Sequence, residues 1–152
     1  QAAMISAAVA NDGRLMKPYL VSEEQAPNLA VLSHPDPQLL NQVMDPDQAN
    51  QLTAMMVDVV NKGTGKAAQL PGIQVAGKTG TADNGPQKSD GSYVNQPHAW
   101  FSGFAPADNP KIAVAVVLEN GGVRGSETTG GLAAAPVAQA VMKAYLAAIG
   151  VK

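Results

Sequence analysis

The sequence predicts an α+β fold in which an antiparallel three-stranded meander is covered by helices. Strand-like apolar segments occur at residues 73–82, 100–105 and 111–118. Helical signals lie before these segments, at residues 46–60, and after them, at residues 132–148. Strands that are grouped between helices, rather than alternating with them, are typical of α+β proteins.

The composition indicates one globular domain that uses part of its surface for contact with another protein segment. The 152 residues are 45% hydrophobic, enough for one core, and only 14% charged, against about 25% in average domains. Lysine and arginine form no basic stripe, so nucleic-acid binding is not expected. The lack of cysteine excludes disulfides and thiolate sites, and no stretch approaches the roughly 18 apolar residues of a membrane span.

The beginning of the chain predicts a fully buried helix at residues 1–10, because this segment is apolar nearly all round. Its first turn has no Ser, Asp or Asn cap, which favours a chain cut from a longer one. Asn11-Asp12-Gly13 is expected to end the helix. A short strand is predicted at residues 17–21 and a mostly irregular segment at 22–38.

The second helix has a strong start signal, because Asp45, Pro46 and Gln48 match a cap, a first helical position and a capping box. Gly63 is expected to end this helix. The stripe predicted to be buried comprises Ala49, Leu52, Met55, Met56, Val59 and Val60. Its methionines fit core filling, and no cofactor is expected.

The second half of the chain predicts a long loop at residues 83–97, which are rich in polar residues, glycine and proline. The strand at residues 111–118 is apolar at successive positions and is expected to be covered on both faces. A pliable glycine-rich loop is predicted at 121–131, followed by the last helix at 132–148. The stripe of this helix predicted to be buried comprises Val137, Val141, Ala144 and Ala148.

The chemistry is concentrated where the strand at residues 73–82 ends. Thr79 and Thr81 alternate along an extended segment and therefore share a face, while Gly77 and Gly80 would let another molecule lie against the backbone. Lys78 beside two hydroxyls suits an extended ligand that carries a carboxylate. A bare Lys-Thr-Gly tripeptide also occurs at ordinary strand ends with a solvated lysine, so its setting decides its meaning.

That setting is an ordered series of features that is specific in combination. The series consists of the capped helix, Gly63-Thr64-Gly65, Gly77-Lys78-Thr79-Gly80-Thr81-Ala82, Trp100-Phe101-Ser102-Gly103-Phe104-Ala105-Pro106, an apolar strand and a terminal helix. It resembles the C-terminal half of a penicillin-binding protein transpeptidase domain. The resemblance implies that the meander belongs to a larger five-stranded sheet, and that residues 1–152 are the C-terminal part of one such domain.

The larger group to which that family belongs uses three motifs, Ser-x-x-Lys, Ser-x-Asn and Lys-Thr-Gly, and only the last is present here. No serine is followed by lysine three residues later, and Ser89-Asp90-Gly91 lacks the asparagine of the second motif. The resemblance therefore implies that a complementary N-terminal segment or chain supplies the serine nucleophile and its base. This chain alone is expected to be inactive.

The function implied by the resemblance is that of a peptidoglycan D,D-transpeptidase, which cross-links stem peptides through a serine acyl-enzyme and is acylated by β-lactams. Here Lys78 would supply positive potential, and Thr79 and Thr81 would bind the substrate carboxylate. The Thr81 amide would form half of the oxyanion hole, and Gly80 would allow close approach. Trp100 would line the cleft or pack in the core, the latter being the commoner role of buried aromatics. Such enzymes act at the extracytoplasmic face of the bacterial membrane, anchored here by a segment outside this chain.

Two other catalytic or binding sites fit the sequence less well. A phosphate or dinucleotide loop at residues 63–68 would follow a helix instead of a strand. A triad of His98, Ser102 and either Asp83 or Asp108 has no nucleophile-elbow motif around its serine.

No metal site is predicted, because His34 and Asp36 have no further ligands nearby in the sequence. Two other functions remain as alternatives to the transpeptidase. One is a non-catalytic module or fragment that binds a partner, and the other is a fragment of a β-lactam hydrolase.

Overall fold

The structure, a computed structural model, describes residues 1–151 apart from the side chains of residues 124–126. In this part of the chain the α-helices are Ala2–Ala10 (α1), Pro46–Asn61 (α2) and Ala135–Ala148 (α3). The strands are Arg14–Met16 (β1), Glu24–Gln25 (β2), Val31–Ser33 (β3), Leu39–Gln42 (β4), Ala76–Gln87 (β5), Tyr93–Ala105 (β6) and Ile112–Leu118 (β7). The predicted α+β class is confirmed.

The main sheet is an antiparallel meander with the strand order β5-β6-β7, as predicted. The long loop predicted at residues 83–97 is wrong, because β5 and β6 continue through it and turn only at 88–92. Asn84 pairs with Asn95 and Gln87 with Tyr93, with a register shift on each side of the Asn84–Asn95 pair. A two-stranded ladder needs only backbone hydrogen bonds, so polar side chains that point into solvent do not prevent it.

The segment between α1 and α2 forms two small sheets. The strand predicted at residues 17–21 is wrong, because β1 ends at Met16 and pairs with β4. The stretch predicted to be irregular contains the short hairpin of β2 and β3. The apolar side chains of this hairpin, including those of Val31 and Leu32, are largely exposed. Alternation of apolar and polar residues therefore did not reveal these strands, because neither of their faces is buried.

The helix α2 begins as predicted, with the Asp45 amide donating to Gln48 Oε1 at 3.1 Å to complete the capping box. Its Ala49, Met56 and Val60 are buried, but Met55 is 59% exposed, in contrast to the prediction. The prediction that α1 is buried all round is also wrong, because Ile5 is 67% exposed. Periodicity identified the helices, whereas the described chain covers only part of their apolar surface.

The last helix, α3, buries a different stripe from the one predicted. Val137, Val141, Ala144 and Ala148 are exposed, whereas the fully buried residues are Ala135, Ala138, Met142 and Leu146. Both sets of residues repeat at helical spacing, and the sheet contacts the set with the larger side chains, which includes Met142 and Leu146. By length and composition the helical stretch 130–148 could span a membrane, in contrast to the sequence prediction that no stretch approaches a span. Its contacts with the sheet identify it as a core helix.

The glycine-rich segment before α3 is more regular than the predicted loop. Its backbone forms a 3-10 segment at Glu119–Glu127 and a short π-helical turn at Gly130–Ala134 that leads into α3. Thr129 caps this turn, because its side chain accepts from the Leu132 amide. The predicted last helix is therefore confirmed from residue 135, and its first residues are π-helical.

The sheet separates two apolar clusters. Phe101 packs with α3 on one face, and Phe104 packs with α1 and α2 on the other, as the alternation along β6 predicts. The prediction that β7 is covered on both faces is wrong for the described chain, because Val114 is buried but Val117 is 42% exposed. The face with Phe104 is the less completely covered one.

Candidate active site

The Lys-Thr-Gly segment lies in the first part of β5, at an edge of the sheet. In the part of the chain that the structure describes, β5 pairs with β6 alone, so its other edge has no neighbouring strand. Lys78 lies opposite Ser102 and Gly80 opposite Trp100, so these four residues share one face. Thr79 and Thr81 lie on the other face. The sequence prediction that both hydroxyls share a face is consistent with this register.

Lys78 is exposed and lies beside an apolar cavity of about 520 Å³. The cavity is walled by residues of α1 and α2, including Ile5 and Met55, and by Ser102 of β6. The Lys78 ammonium donates to the carbonyl oxygen of Thr79 on its own strand. The charge is therefore available at the mouth of an open apolar space, and no acidic side chain among the described residues lines that space.

The hydroxyls of Thr79 and Thr81 are each in contact with another part of the chain. Thr79 Oγ1 lies 2.6 Å from Thr64 Oγ1, in the turn after α2. The Gly130 amide donates to Thr81 Oγ1 at 3.4 Å. Neither Thr64 nor Gly130 was assigned a role in the site from the sequence. A threonine between two glycines after a helix was the available signal for Thr64.

The glycines of this region have different neighbours. A Cβ atom on Gly77 would lie 2.3 Å from Cζ of Phe101, so the ring of Phe101 fills this space and the prediction of ligand access at Gly77 is wrong. A Cβ atom on Gly80 would meet only Cβ of Trp100, at 3.3 Å, which leaves open space beside Lys78. Gly130 lies against the other face of β5, and a Cβ atom added to Gly130 would be 2.6 Å from the carbonyl oxygen of Gly80.

Trp100 is half-buried on the face that carries Lys78 and Gly80. It is paired with Gly80 on one side and with Val117 on the other. Trp100 belongs to neither buried apolar cluster. Its position is therefore compatible with the wall of a cleft, and the role of Trp100 stays a prediction.

The alternative triad is not assembled. His98 Nδ1 accepts a hydrogen bond from the Asn120 amide at 3.0 Å, and the Ser102 hydroxyl contacts the hydroxyl of Ser6. Ser102 lies four positions after His98 along β6, which corresponds to about 13 Å in an extended strand. This distance prevents direct proton transfer between the two side chains.

The turn at the tip of the β5–β6 hairpin contains the Ser89-Asp90-Gly91 sequence. Asp90 Oδ1 accepts hydrogen bonds from Ser92 Oγ at 2.6 Å and from the Ser92 amide at 2.9 Å. The hydroxyl and then the amide of Ser92 lower the pKa of Asp90 below its usual value, because both stabilise the carboxylate. Asp90 therefore organises a turn, as the sequence indicated.

His34 Nδ1 lies 4.0 Å from Asp36 Oδ1, and both side chains are exposed in the segment between α1 and α2. Among the described residues, no group of three or more histidine, aspartate or glutamate side chains could hold a metal ion. The pair therefore remains a local loop contact, and nothing in the described chain extends it into a metal site.

Comparison with known proteins matches this geometry to one family. Residues 1–143 match the model of the penicillin binding protein transpeptidase domain. The peptidoglycan D,D-transpeptidase PbpA of Mycolicibacterium smegmatis is 42% identical over 96% of this chain. The stage V sporulation protein D of Bacillus subtilis is 37% identical over the whole chain.

Solved structures agree with the sequence comparison. Penicillin-binding protein A from Mycobacterium tuberculosis, as a ceftriaxone acyl-enzyme complex, superposes with a TM-score of 0.85 and 42% identity over 95% of this chain. The D,D-transpeptidase domain of a peptidoglycan glycosyltransferase from Eggerthella lenta superposes with a TM-score of 0.83 and 37% identity over 99% of this chain. The chain covers 31% and 32% of those structures, and 28% of the length of the M. smegmatis relative.

Proposed function

This chain belongs to the penicillin-binding protein transpeptidase family, and we propose that it forms part of a peptidoglycan D,D-transpeptidase. Such an enzyme cross-links stem peptides through a serine acyl-enzyme, and β-lactams acylate the same serine. The observation that supports the proposal is the edge of β5 that has no neighbouring strand in the described chain, where Lys78 and Thr81 are exposed. This edge would bind an extended peptide substrate.

Each residue of the segment has a role in this proposal. The Lys78 ammonium supplies positive potential, and the hydroxyls of Thr79 and Thr81 donate to the terminal carboxylate of the substrate. Hydrogen bonds to charged groups contribute about 1.5–3 kcal/mol each. The absence of a side chain at Gly80 lets the substrate approach, and Trp100 lines the cleft beside it.

The Thr81 amide forms half of the oxyanion hole. A serine supplied by a complementary N-terminal segment or chain attacks the penultimate D-Ala carbonyl, and negative charge develops on the carbonyl oxygen. Loss of one such donor commonly costs about 10²–10³-fold in rate. As the acyl-enzyme forms, the bond to the terminal D-Ala nitrogen breaks and that nitrogen takes up a proton. An amine of a neighbouring stem peptide then displaces the serine.

The complementary segment carries Ser-x-x-Lys and Ser-x-Asn and covers the face of the sheet with Lys78. This assignment is supported by the apolar cavity beside Lys78 and by the exposure of Ile5 and Met55 at its wall. An apolar surface of this kind is favourable only when another element buries it. The complete protein acts at the extracytoplasmic face of the bacterial membrane, through an anchor supplied outside these residues.

The proposal is tested with a chimera in which these 152 residues replace the matched segment of the M. smegmatis transpeptidase. A fluorescent penicillin is expected to label the chimera but not the 152-residue chain alone. Lys78→Ala should slow labelling by about 10²-fold, comparable to the loss of one preorganised electrostatic group. Lys143→Ala, an exposed lysine on α3, is the matched control and should leave the rate unchanged.

Labelling of the isolated chain would contradict the assignment of the nucleophile to another segment. Equal labelling rates of the chimera with and without Lys78→Ala would remove Lys78 from the site. An unlabelled chimera that folds normally would favour a non-catalytic binding module. Rapid hydrolysis of the penicillin without turnover of stem peptides would favour a β-lactam hydrolase.

A further inference from the structure

The turn after α2 contributes a hydroxyl to the Lys-Thr-Gly strand from outside that motif. Thr64 Oγ1 lies 2.6 Å from Thr79 Oγ1, although the two residues are fifteen positions apart in the sequence. We propose that Thr64 is a positioning residue that directs the Thr79 hydroxyl proton toward the carboxylate of the substrate. This inference rests on the proposed function, because it assigns a specificity role within the same site.

The argument begins with the protons of the two strand threonines. Each threonine hydroxyl has one proton to donate and two lone pairs to accept. A backbone amide only donates, so Thr81 Oγ1 is the acceptor in its contact with Gly130. The Thr81 proton is therefore free to donate to a ligand at the edge of β5.

The Thr64–Thr79 contact has two possible directions, and they present different groups to a ligand. If Thr79 donates to Thr64, the Thr79 oxygen presents only lone pairs, which repel a carboxylate. If Thr64 donates to Thr79, the Thr79 proton is free to donate, and both strand threonines act as donors. A bound carboxylate selects the second direction, because charge-assisted hydrogen bonds are the stronger ones.

The backbone of Thr64 is held firmly enough to perform this role. The amides of its neighbours Gly63 and Gly65 donate to the Val59 carbonyl at 3.1 and 3.0 Å. On the other side, a Cβ atom on Gly131 would lie 2.2 Å from the carbonyl oxygen of Thr64, so the turn before α3 packs closely against the Thr64 backbone. The Thr64 backbone is thus held in place before any ligand arrives, which lowers the entropy lost on binding.

A purely structural role of the Thr64 hydroxyl and a positioning role predict different effects of substitutions at Thr64 on the reaction rate. The side chain of Thr64 is exposed, so water can hydrogen-bond Thr79 when the Thr64 hydroxyl is removed. Thr64→Val keeps the shape and removes the hydroxyl, whereas Thr64→Ser keeps the hydroxyl. Thr53→Val is a matched control for the same change of side chain, because Thr53 lies on α2, outside both the Lys-Thr-Gly strand and the turn that carries Thr64.

The experiment uses the chimera with the M. smegmatis transpeptidase and two acyl donors that differ only at one end. One donor ends in a carboxylate, and the other carries a carboxamide at that position. Thr64→Val is expected to lower kcat/KM for the carboxylate donor by about tenfold, the equivalent of one charge-assisted hydrogen bond. The kcat/KM for the carboxamide donor should change by less than about twofold, because its neutral end group forms no charge-assisted hydrogen bond with Thr79. Thr64→Ser should restore the rate, and Thr53→Val should have no effect.

An equal loss for both donors would assign Thr64 a structural role and overturn the inference. No loss for either donor would overturn it as well. In both cases the proposed function would stand, because the unmodified chimera would still be acylated. A chimera that is not acylated at all would refute the proposed function and the inference together.

Discussion

The two faces of the β5–β6–β7 sheet differ in how far the described chain covers them. On the α3 face, Phe101, Met142 and Leu146 are fully buried. On the α1 and α2 face, an apolar cavity remains beside Lys78, with Ile5 exposed at its wall. One face therefore supplies the stability of the sheet, and the other leaves space in which chemistry can take place. A strand packed tightly on one side can hold a site rigidly on its open side.

The largest expected effect is a difference in the free energy of unfolding between substitutions on the two faces of the sheet. In the 152-residue chain, Phe101→Ala should lower the free energy of unfolding by about 3–5 kcal/mol, because it creates a cavity in the core. Met55→Ala, on the open face, should change it by less than about 0.5 kcal/mol. Urea unfolding followed by circular dichroism measures both.

The same pair of variants in the chimera tests whether a complementary segment covers the open face. There, Met55→Ala should cost about 2–5 kcal/mol, the range for a buried methionine. A cost for Met55→Ala that is equally small in the chimera and in the isolated chain would show that this face stays open in the complete domain.

A smaller effect is expected from two glycines, Gly80 within β5 and Gly130, which packs against the Gly80 backbone. Gly130→Ala should destabilise the chain by about 1–3 kcal/mol through overpacking, because its Cβ atom would lie 2.1 Å from the Trp100 oxygen. Gly80→Ala should cost less than about 1 kcal/mol, because its methyl group meets only Cβ of Trp100. In the chimera, however, Gly80→Ala should slow labelling by penicillin. Thermal melting and labelling rates measure the two effects, and faster or unchanged labelling would exclude ligand approach at Gly80.

The smallest effect concerns the polar pair between α1 and β6. Ser6 is buried and its hydroxyl contacts that of the half-buried Ser102. Ser102→Ala should cost about 0.5–1.5 kcal/mol, the net contribution of an ordinary hydrogen bond. The double variant Ser6→Ala, Ser102→Ala should be less destabilised than the sum of the single variants. A double-mutant cycle measures this coupling, and strict additivity would mean that the hydroxyls do not interact.

Several elements were predictable because their signals are local. The capping box at Asp45 needs only the residues of one turn, and alternation along β6 correctly separated Phe101 from Phe104. The order of the Lys-Thr-Gly strand and the aromatic strand likewise identified the family. These features depend on residues that are close in sequence, where backbone geometry fixes the relation between side chains.

Other predictions failed because two arrangements satisfied the same pattern. The last helix has two apolar stripes, and the sequence alone favoured the one with Val137 over the one with Met142. Residues 83–97 have loop-like composition, yet they extend the β5–β6 hairpin through backbone pairing. In both cases the outcome depended on a partner surface that is distant in sequence.

By itself, the sequence determined that β5 carries a lysine and two hydroxyls on an extended segment, because alternation along a strand is a local property. Only the tertiary structure showed that Thr64 meets Thr79, that Gly130 meets Thr81, and that the ring of Phe101 fills the space at Gly77. These contacts join residues that are fifteen to about fifty positions apart. They arise when the turns after α2 and before α3 pack against the same strand, and no pattern along the chain encodes that packing.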